Sequence, residues 1–141
     1  MADRTASAVW QGDLFSGSGT VSATTGLFTD AGVTWASRTE DPGGKTSPEE
    51  LLAAAHAACF CMALSNELAT RGHPPANLEV KATCTFQPGK GVTTMALDVR
   101  ADVPGVDQAG FQEGLDAATD SCPVSNALRG NVDIRVDGTL V

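Results

Sequence analysis

Residues 47–64 read SPEELLAAAHAACFCMAL, and this stretch decides the fold. The serine that opens it is a good N-cap, the proline after it suits the first helical turn, and Glu50 completes a capping box. We expect the helix to end near Arg71, before Gly72. Apolar residues recur at helical spacing and predict one buried stripe: Leu51, Leu52, Ala55, Ala58, Cys59 and Met62.

Short strands precede this helix. Residues 8–10, 20–22 and 33–35 are rich in residues that favour strands, and glycines separate them. We expect an antiparallel meander of these three strands. The polar residues 38–45 then predict a loop that leads into the helix.

The second half of the chain predicts two strands, two helices and a last strand, at 78–86, 92–103, 107–120, 122–130 and 132–136. The first of these helices is amphipathic, with Phe111, Leu115 and Ala118 on its inner face. No linker or repeat divides the sequence. The predicted order is βββ–α–ββ–αα–β, a single α+β domain covering residues 1–141.

Composition narrows the class of protein. The chain has 141 residues, 42% of them apolar, and a formal net charge of -8, which disfavours binding to nucleic acid. We see no window of about 20 apolar residues and no apolar core near the N-terminus, so we expect neither a membrane span nor a secretory signal. We therefore expect a cytoplasmic protein, in which four cysteines favour redox chemistry or simple burial over structural disulfides.

Cys122 carries the clearest local signal of reactivity. Pro123 suits the first position of a helix, which makes Cys122 its N-cap. Backbone N–H groups and the positive end of the helix dipole then favour the thiolate. The alternative is a structural cysteine that happens to precede a proline.

Cys59 lies on the apolar stripe of the long helix, where burial raises the pKa of a thiol and makes it inert. A reactive Cys59 therefore needs a cation, and Arg38 is the only arginine between residues 5 and 70. Glu49 or Glu50 could orient the guanidinium. Glu49 and Cys59 are ten residues apart, about 15 Å along a straight helix, so a site made of all three groups requires a second chain.

The sequence resembles the OsmC/Ohr family of bacterial thiol-dependent hydroperoxide reductases. The resemblance rests on residues 47–64 together with CPVSNAL at 122–128. Its OsmC branch is matched further by AVWQGDLFSGSGTVS, VPGVD and GNVDIRV, at 8–22, 103–107 and 130–136. The resemblance implies an intertwined homodimer, with antiparallel sheets from both chains wrapped around two long central helices.

The resemblance also implies site residues. Cys59 matches the cysteine that attacks the peroxide, and Cys122 matches the resolving cysteine. Arg38 matches the arginine that activates the thiol, and Glu49 matches the family's glutamate. A hydroperoxide would oxidise Cys59, Cys122 would form a disulfide with it, and a dithiol such as a lipoylated protein would reduce the pair. No metal or other cofactor is implied, and the apolar neighbours Leu51, Leu52 and Phe60 favour organic peroxides.

Two alternatives remain open from the sequence. Cys59, Cys61 and His56 lie close enough along the helix to suggest a metal-binding protein. A non-catalytic binding protein with inert thiols is the other alternative. We interpret Cys61 and Cys84 as packing cysteines, and His56 as a buried hydrogen-bonding residue, although a role as base or zinc ligand is also compatible with its position.

Overall fold

The computed structural model describes residues 1–141. The chain forms two compact units, residues 1–51 and residues 52–141. Each unit contains one three-stranded sheet. The mixed α+β class is confirmed, and so is the order of elements, except for one additional short helix.

The first unit begins with the expected meander. Strands β1 (Ala6–Gln11), β2 (Ser18–Ala23) and β3 (Ala31–Val33) pair antiparallel in that order. Gly19 lies in β2 opposite Trp10, and a Cβ at Gly19 would meet the indole ring and the backbone of Val9. A glycine is therefore needed where β1 and β2 approach each other.

The prediction was wrong after β3. The third strand ends at Val33, and helix α1 (Trp35–Thr39) occupies the end of the expected strand and the start of the expected loop. A capping box begins this helix, because Thr34 Oγ1 accepts from the Ser37 N–H at 2.9 Å and Ser37 Oγ accepts from the Thr34 N–H at 2.9 Å. Arg38 therefore lies in the last turn of α1 rather than in a loop.

Helix α2 (Pro48–Thr70) is continuous, as the sequence predicted. Ser47 Oγ accepts from the Glu50 N–H at 3.1 Å, which is half of a capping box. The Glu50 carboxylate does not complete the box, because it accepts from Thr46 Oγ1 at 2.6 Å. The helix ends before Gly72, whose φ of 86° suits a glycine.

The buried face of α2 differs from the predicted stripe. The fully buried residues of this helix are His56, Phe60, Leu64 and Leu68, which follow one another at intervals of four. By contrast Ala55, Ala58 and Met62 are exposed in the single chain, while Leu52 and Cys59 are half-buried against the core. Because apolar residues occur on nearly every face of this helix, their spacing could not select the buried one.

The second unit packs two helices on its sheet. Strands β4 (Asn77–Gln87) and β5 (Gly91–Asp102) form a hairpin, and β6 (Asp133–Leu140) pairs parallel to β5. Helices α3 (Gln108–Ser121) and α4 (Pro123–Leu128) connect β5 to β6. The inner face predicted for α3 is confirmed, since its apolar residues are buried: Phe111, Leu115 and Ala118.

Helix α2 is an exception to the expectation that the chain has no window of about 20 apolar residues. Its 23 residues have a hydropathy of 1.4 over the most apolar window, so it is long and apolar enough to cross a bilayer by length and composition alone. The core helix of a soluble protein passes the same test. The apolar character of α2 therefore does not by itself indicate a membrane protein.

Candidate active site

The second unit brings two cysteines together. Cys59 projects from α2, and Cys122 is the N-cap residue of α4. The two thiols lie close enough for each to shift the pKa of the other, although 62 residues separate them in the sequence. Cys122 is fully buried and Cys59 is half-buried. The pair expected to form a disulfide is therefore in contact, with both thiols reduced.

The N-terminus of α4 favours the thiolate of Cys122. Burial opposes ionisation, but hydrogen bonds from the Ser125 N–H and side chain, the Cys59 thiol and the Val124 N–H together lower the pKa of Cys122. The interaction with the start of α4 is the one that the Cys122-Pro123 pair predicted. The thiol of Cys122 is therefore more acidic than the thiol of Cys59.

The environment of Cys59 has the opposite effect. Burial raises the pKa of Cys59, the Val124 N–H lowers it only in part, and the neighbouring Cys122 raises it further. The sequence predicted that a reactive Cys59 needs a nearby cation. The groups that shift the pKa of Cys59 within residues 52–141 include no cation. Within this unit, the surroundings of Cys59 therefore favour the neutral thiol.

A buried histidine and serine adjoin the thiols. His56 Nε2 lies 2.7 Å from Ser125 Oγ, and both side chains are fully buried. His56 Nδ1 is also buried and has no hydrogen-bond partner. Burial lowers the pKa of His56, so the imidazole is neutral at pH 7.

The first unit holds the cation. Arg38 Nε lies 2.9 Å and 3.1 Å from the two oxygens of Glu49, and Arg38 Nη2 lies 2.7 Å from Glu49 Oε1. Glu49, rather than Glu50, therefore orients Arg38. The Glu49 side chain is 7% exposed and the Arg38 side chain 28%, so the carboxylate of this ion pair is buried and the guanidinium is partly exposed.

An apolar cavity of about 260 Å³ adjoins Arg38 in the same unit. Trp10, Leu14, Trp35 and Leu51 line it, and the Arg38 guanidinium carbon lies 5.9 Å from the centroid of the Trp35 ring. The cavity combines apolar walls with a single charged side chain. Such a site suits a ligand that has an alkyl or aryl body and one polar end.

The other two cysteines lie in less reactive surroundings. Burial raises the pKa of Cys61, and the Val80 N–H offsets this only in part. Cys84 on β4 packs against the core. His56, Cys59 and Cys61 do not gather as metal ligands, because no group of three His, Cys, Asp or Glu side chains lies close enough to hold an ion.

The sequence analysis missed several neighbours of the site. Ser125 carried a usable signal, because it is three residues after the N-cap Cys122, where a side chain reaches back to the cap. No sequence signal indicated Leu14 and the two tryptophans of the cavity. These residues lie near Arg38 only because β1 pairs with β2 and the chain turns into α1.

Comparison with known proteins identifies the family of this chain. Residues 41–137 match the family model described as OsmC-like protein. The chain is 37% identical over 128 residues to Peroxiredoxin OsmC of Escherichia coli, covering 89% of both chains.

Two solved structures are also similar. One is an organic hydroperoxide resistance protein OsmC from Legionella pneumophila, with a TM-score of 0.69, 28% identity and 99% of both chains covered. The other is the organic hydroperoxide resistance protein OhrB of Bacillus subtilis, with a TM-score of 0.71 and 26% identity, covering 96% of this chain and 98% of that one. The chain therefore belongs to the OsmC family, as the motifs indicated.

Proposed function

We propose that this protein is a cysteine-based peroxidase that reduces organic hydroperoxides, with Cys59 as the peroxide-attacking cysteine and Cys122 as the resolving one. The observation that carries the proposal is the contact between the two thiols at the start of α4. The relatives named for peroxiredoxin activity and organic hydroperoxide resistance support the class of reaction.

The chemistry follows from the thiol pair. The Cys59 thiolate attacks the outer peroxide oxygen, the O–O bond breaks, and the alkoxide leaves as the alcohol after taking up a proton. Cys59 is then a sulfenic acid. The Cys122 thiolate attacks its sulfur, an S–S bond forms, and the hydroxyl leaves as water. A dithiol, such as a lipoylated protein, reduces the disulfide by two exchange steps.

Arg38 supplies the cation that Cys59 lacks in its own unit. A guanidinium beside the sulfur favours the thiolate and stabilises the charge that develops on the leaving oxygen. Glu49 holds Arg38 through the bidentate pair, and the guanidinium remains partly exposed.

The sequence suggested Leu51, Leu52 and Phe60 as the basis of a preference for organic peroxides, and the structure supports only part of this set. Phe60 is fully buried in the core and is not available to a substrate. The apolar cavity beside Arg38 has the required character instead, since Leu51 and the two tryptophans surround a single charged group.

We propose further that the working form is a homodimer in which Arg38 and Glu49 of one chain serve Cys59 of the other. Glu49 and Cys59 lie ten residues apart on the continuous helix α2, a rise of about 15 Å, which exceeds hydrogen-bonding reach. The exposed small residues Ala55 and Ala58, with Met62, offer a face for close helix packing. The acidic surface suits a soluble protein of the cytoplasm, with residues 1–141 as one domain of this dimer.

Single-turnover oxidation tests the proposed function. The reduced protein is mixed with one equivalent of tert-butyl hydroperoxide or hydrogen peroxide in a stopped-flow instrument, and the disulfide is then mapped by mass spectrometry. We expect faster oxidation by the organic peroxide and one dominant bond, Cys59–Cys122. A dominant bond that includes Cys61 or Cys84, or the absence of any oxidation, would refute the assignment.

A further inference from the structure

We propose that His56 and Ser125 form a hydrogen-bonded dyad that holds Cys122 as the thiolate for its attack on oxidised Cys59. His56 is then a positioning residue, which acts on the sulfur through Ser125. The inference rests on the proposed function for its role in turnover. Its physical content, however, is the ionisation of Cys122, which can be measured without any peroxide.

The geometry forms a continuous chain from helix α2 to helix α4. His56 Nε2 is 2.7 Å from Ser125 Oγ, and the Ser125 hydroxyl lies close enough to the sulfur of Cys122 to lower the pKa of that thiol. All three side chains are fully buried, so water does not compete for these bonds. Ser125 is the third residue of α4, which directs its side chain back toward the N-cap Cys122.

The unpartnered nitrogen of His56 fixes the direction of the hydrogen bonds. Nδ1 is buried without a partner, and a buried N–H without an acceptor is rarer in proteins than an acceptor without a donor. The proton of the neutral imidazole therefore belongs on Nε2, which donates to Ser125 Oγ. The serine hydroxyl is then free to donate its own proton to Cys122, and a thiolate is the better acceptor for it.

The ionisable groups in contact with Cys122 are few. Cys59 faces it from α2, the polar groups of Ser125 and Val124 face it from α4, and His56 reaches it only through Ser125. The charged side chains nearest in sequence and on the adjoining strand are exposed: Asp120, Arg129, Asp133 and Arg135. The dyad is therefore the side-chain system on α2 and α4 that is placed to favour charge on Cys122 over charge on Cys59.

The dyad acts on one step of the cycle. When the Cys122 thiolate attacks the sulfenic sulfur of Cys59, the S–S bond forms and the S–O bond breaks. The departing hydroxide takes up a proton from solvent, which balances the proton that Cys122 released on ionising. The serine proton stays on the serine throughout. Loss of the dyad therefore slows disulfide formation, and it does not slow the attack of Cys59 on peroxide, since a neutral Cys122 no longer raises the pKa of Cys59.

The test is the pKa of Cys122 measured by NMR. Protein with 13C at the cysteine Cβ carbons is titrated in a Cys59→Ser background, and the Cys122 signal is identified by its loss in Cys122→Ser. Ser125→Ala and His56→Phe are expected to raise the pKa of Cys122 by about 1–2 pH units, the effect of one hydrogen bond to a charged group. His56→Gln should stay near the parent value, because its amide N–H can donate in place of Nε2.

Ser121→Ala is the matched control, since Ser121 precedes Cys122 but is exposed, and it should leave the pKa unchanged. An unchanged pKa in Ser125→Ala would overturn the proposal even if His56→Phe fails to fold. An equal rise in His56→Gln and His56→Phe would also overturn it, because it would assign His56 a packing role only.

A second readout separates this inference from the proposed function. In the chain with all cysteines present, Ser125→Ala should slow disulfide formation at pH 7 about tenfold per pH unit of pKa shift. Trapping of the sulfenic acid with a 1,3-dicarbonyl reagent should increase accordingly, while the rate of peroxide consumption in the first turnover should not fall. If the unsubstituted chain does not react with peroxide, the proposed function fails, and the titration of Cys122 still decides the inference.

Discussion

Residues 1–51 hold an ion pair beside an apolar cavity, whereas residues 52–141 bury two thiols, a hydroxyl and an imidazole. The first region contains no cysteine, and the cation of its ion pair is Arg38. The second has two nucleophiles, and its local hydrogen bonds favour the thiolate of Cys122 over that of Cys59. Neither region is a peroxidase site by itself.

This difference bears on the order in which the two thiols react. In the thiol region alone, the helix N-terminus makes Cys122 the more acidic cysteine, which suits a residue that attacks second. Under the proposed function, peroxide attack by Cys59 requires a cation that offsets the effect of burial, and the ion-pair region contains Arg38, which is partly exposed. Under the proposed function, the two regions therefore act together.

The largest effect should come from removing the first nucleophile. Cys59→Ser is expected to abolish peroxide reduction, because no other side chain in the thiol region is placed to accept the oxygen. Consumption of tert-butyl hydroperoxide in the presence of dithiol measures it. Cys61→Ser is the matched control and should retain activity, since burial raises the pKa of Cys61 and it lies two residues away on the helix. Equal damage in Cys61→Ser would mean that the pair is wrongly assigned.

Removing the cation tests the contribution of the ion-pair region. Arg38→Met should slow the oxidation of Cys59 about a hundredfold, since an electrostatic donor at such a site contributes about 3 kcal/mol. It should also raise the pKa of Cys59. Stopped-flow oxidation at several pH values measures both quantities.

Arg71→Met provides the control for this substitution. Arg71 is paired with Glu67 on the exposed surface at the end of α2, so its loss should leave the rate of oxidation unchanged. If Arg38→Met changes neither the rate nor the thiol pKa, then Arg38 does not belong to the site.

A smaller effect is expected from the cavity wall. Leu14 lines the cavity and is 49% exposed, so Leu14→Ala removes part of an apolar contact. We expect kcat/KM for an organic hydroperoxide to fall about fivefold, with that for hydrogen peroxide unchanged. Leu27→Ala is the matched control, because Leu27 is 84% exposed and does not line the cavity. A parallel decrease for both peroxides would contradict a role of the cavity in selecting the substrate.

Much of the fold was predictable, and the exceptions have physical causes. The helix signals around Pro48 and Pro123 were local and correctly placed α2 and α4. Helix α1 was missed because five residues show no periodicity, although Thr34 and Ser37 have the spacing of a capping box. The buried face of α2 was missed because alanines and other apolar residues surround the helix axis, so only packing selects the line through His56 and Phe60.

The candidate site was predictable where one element carries the signal. Cys122 before Pro123 indicated a helix N-terminus, and the structure places the sulfur there. The pairing of Arg38 with Glu49 was one of two options that the sequence left open, and the geometry selects it over Glu50. The contact of His56 with Ser125 joins residues 69 positions apart, and no local pattern could have indicated it.

The central claim is that the ion-pair region of one chain activates the thiol of another. Its most direct test is to refold Cys59→Ser chains together with Arg38→Met chains and to measure peroxidase activity, with heterodimers confirmed by native mass spectrometry. If sites are shared, each heterodimer contains one site with both residues intact and one with neither, so activity should reappear in the mixture. Confirmed heterodimers without any recovery of activity would contradict the claim, because Arg38 and Cys59 would then serve the same chain.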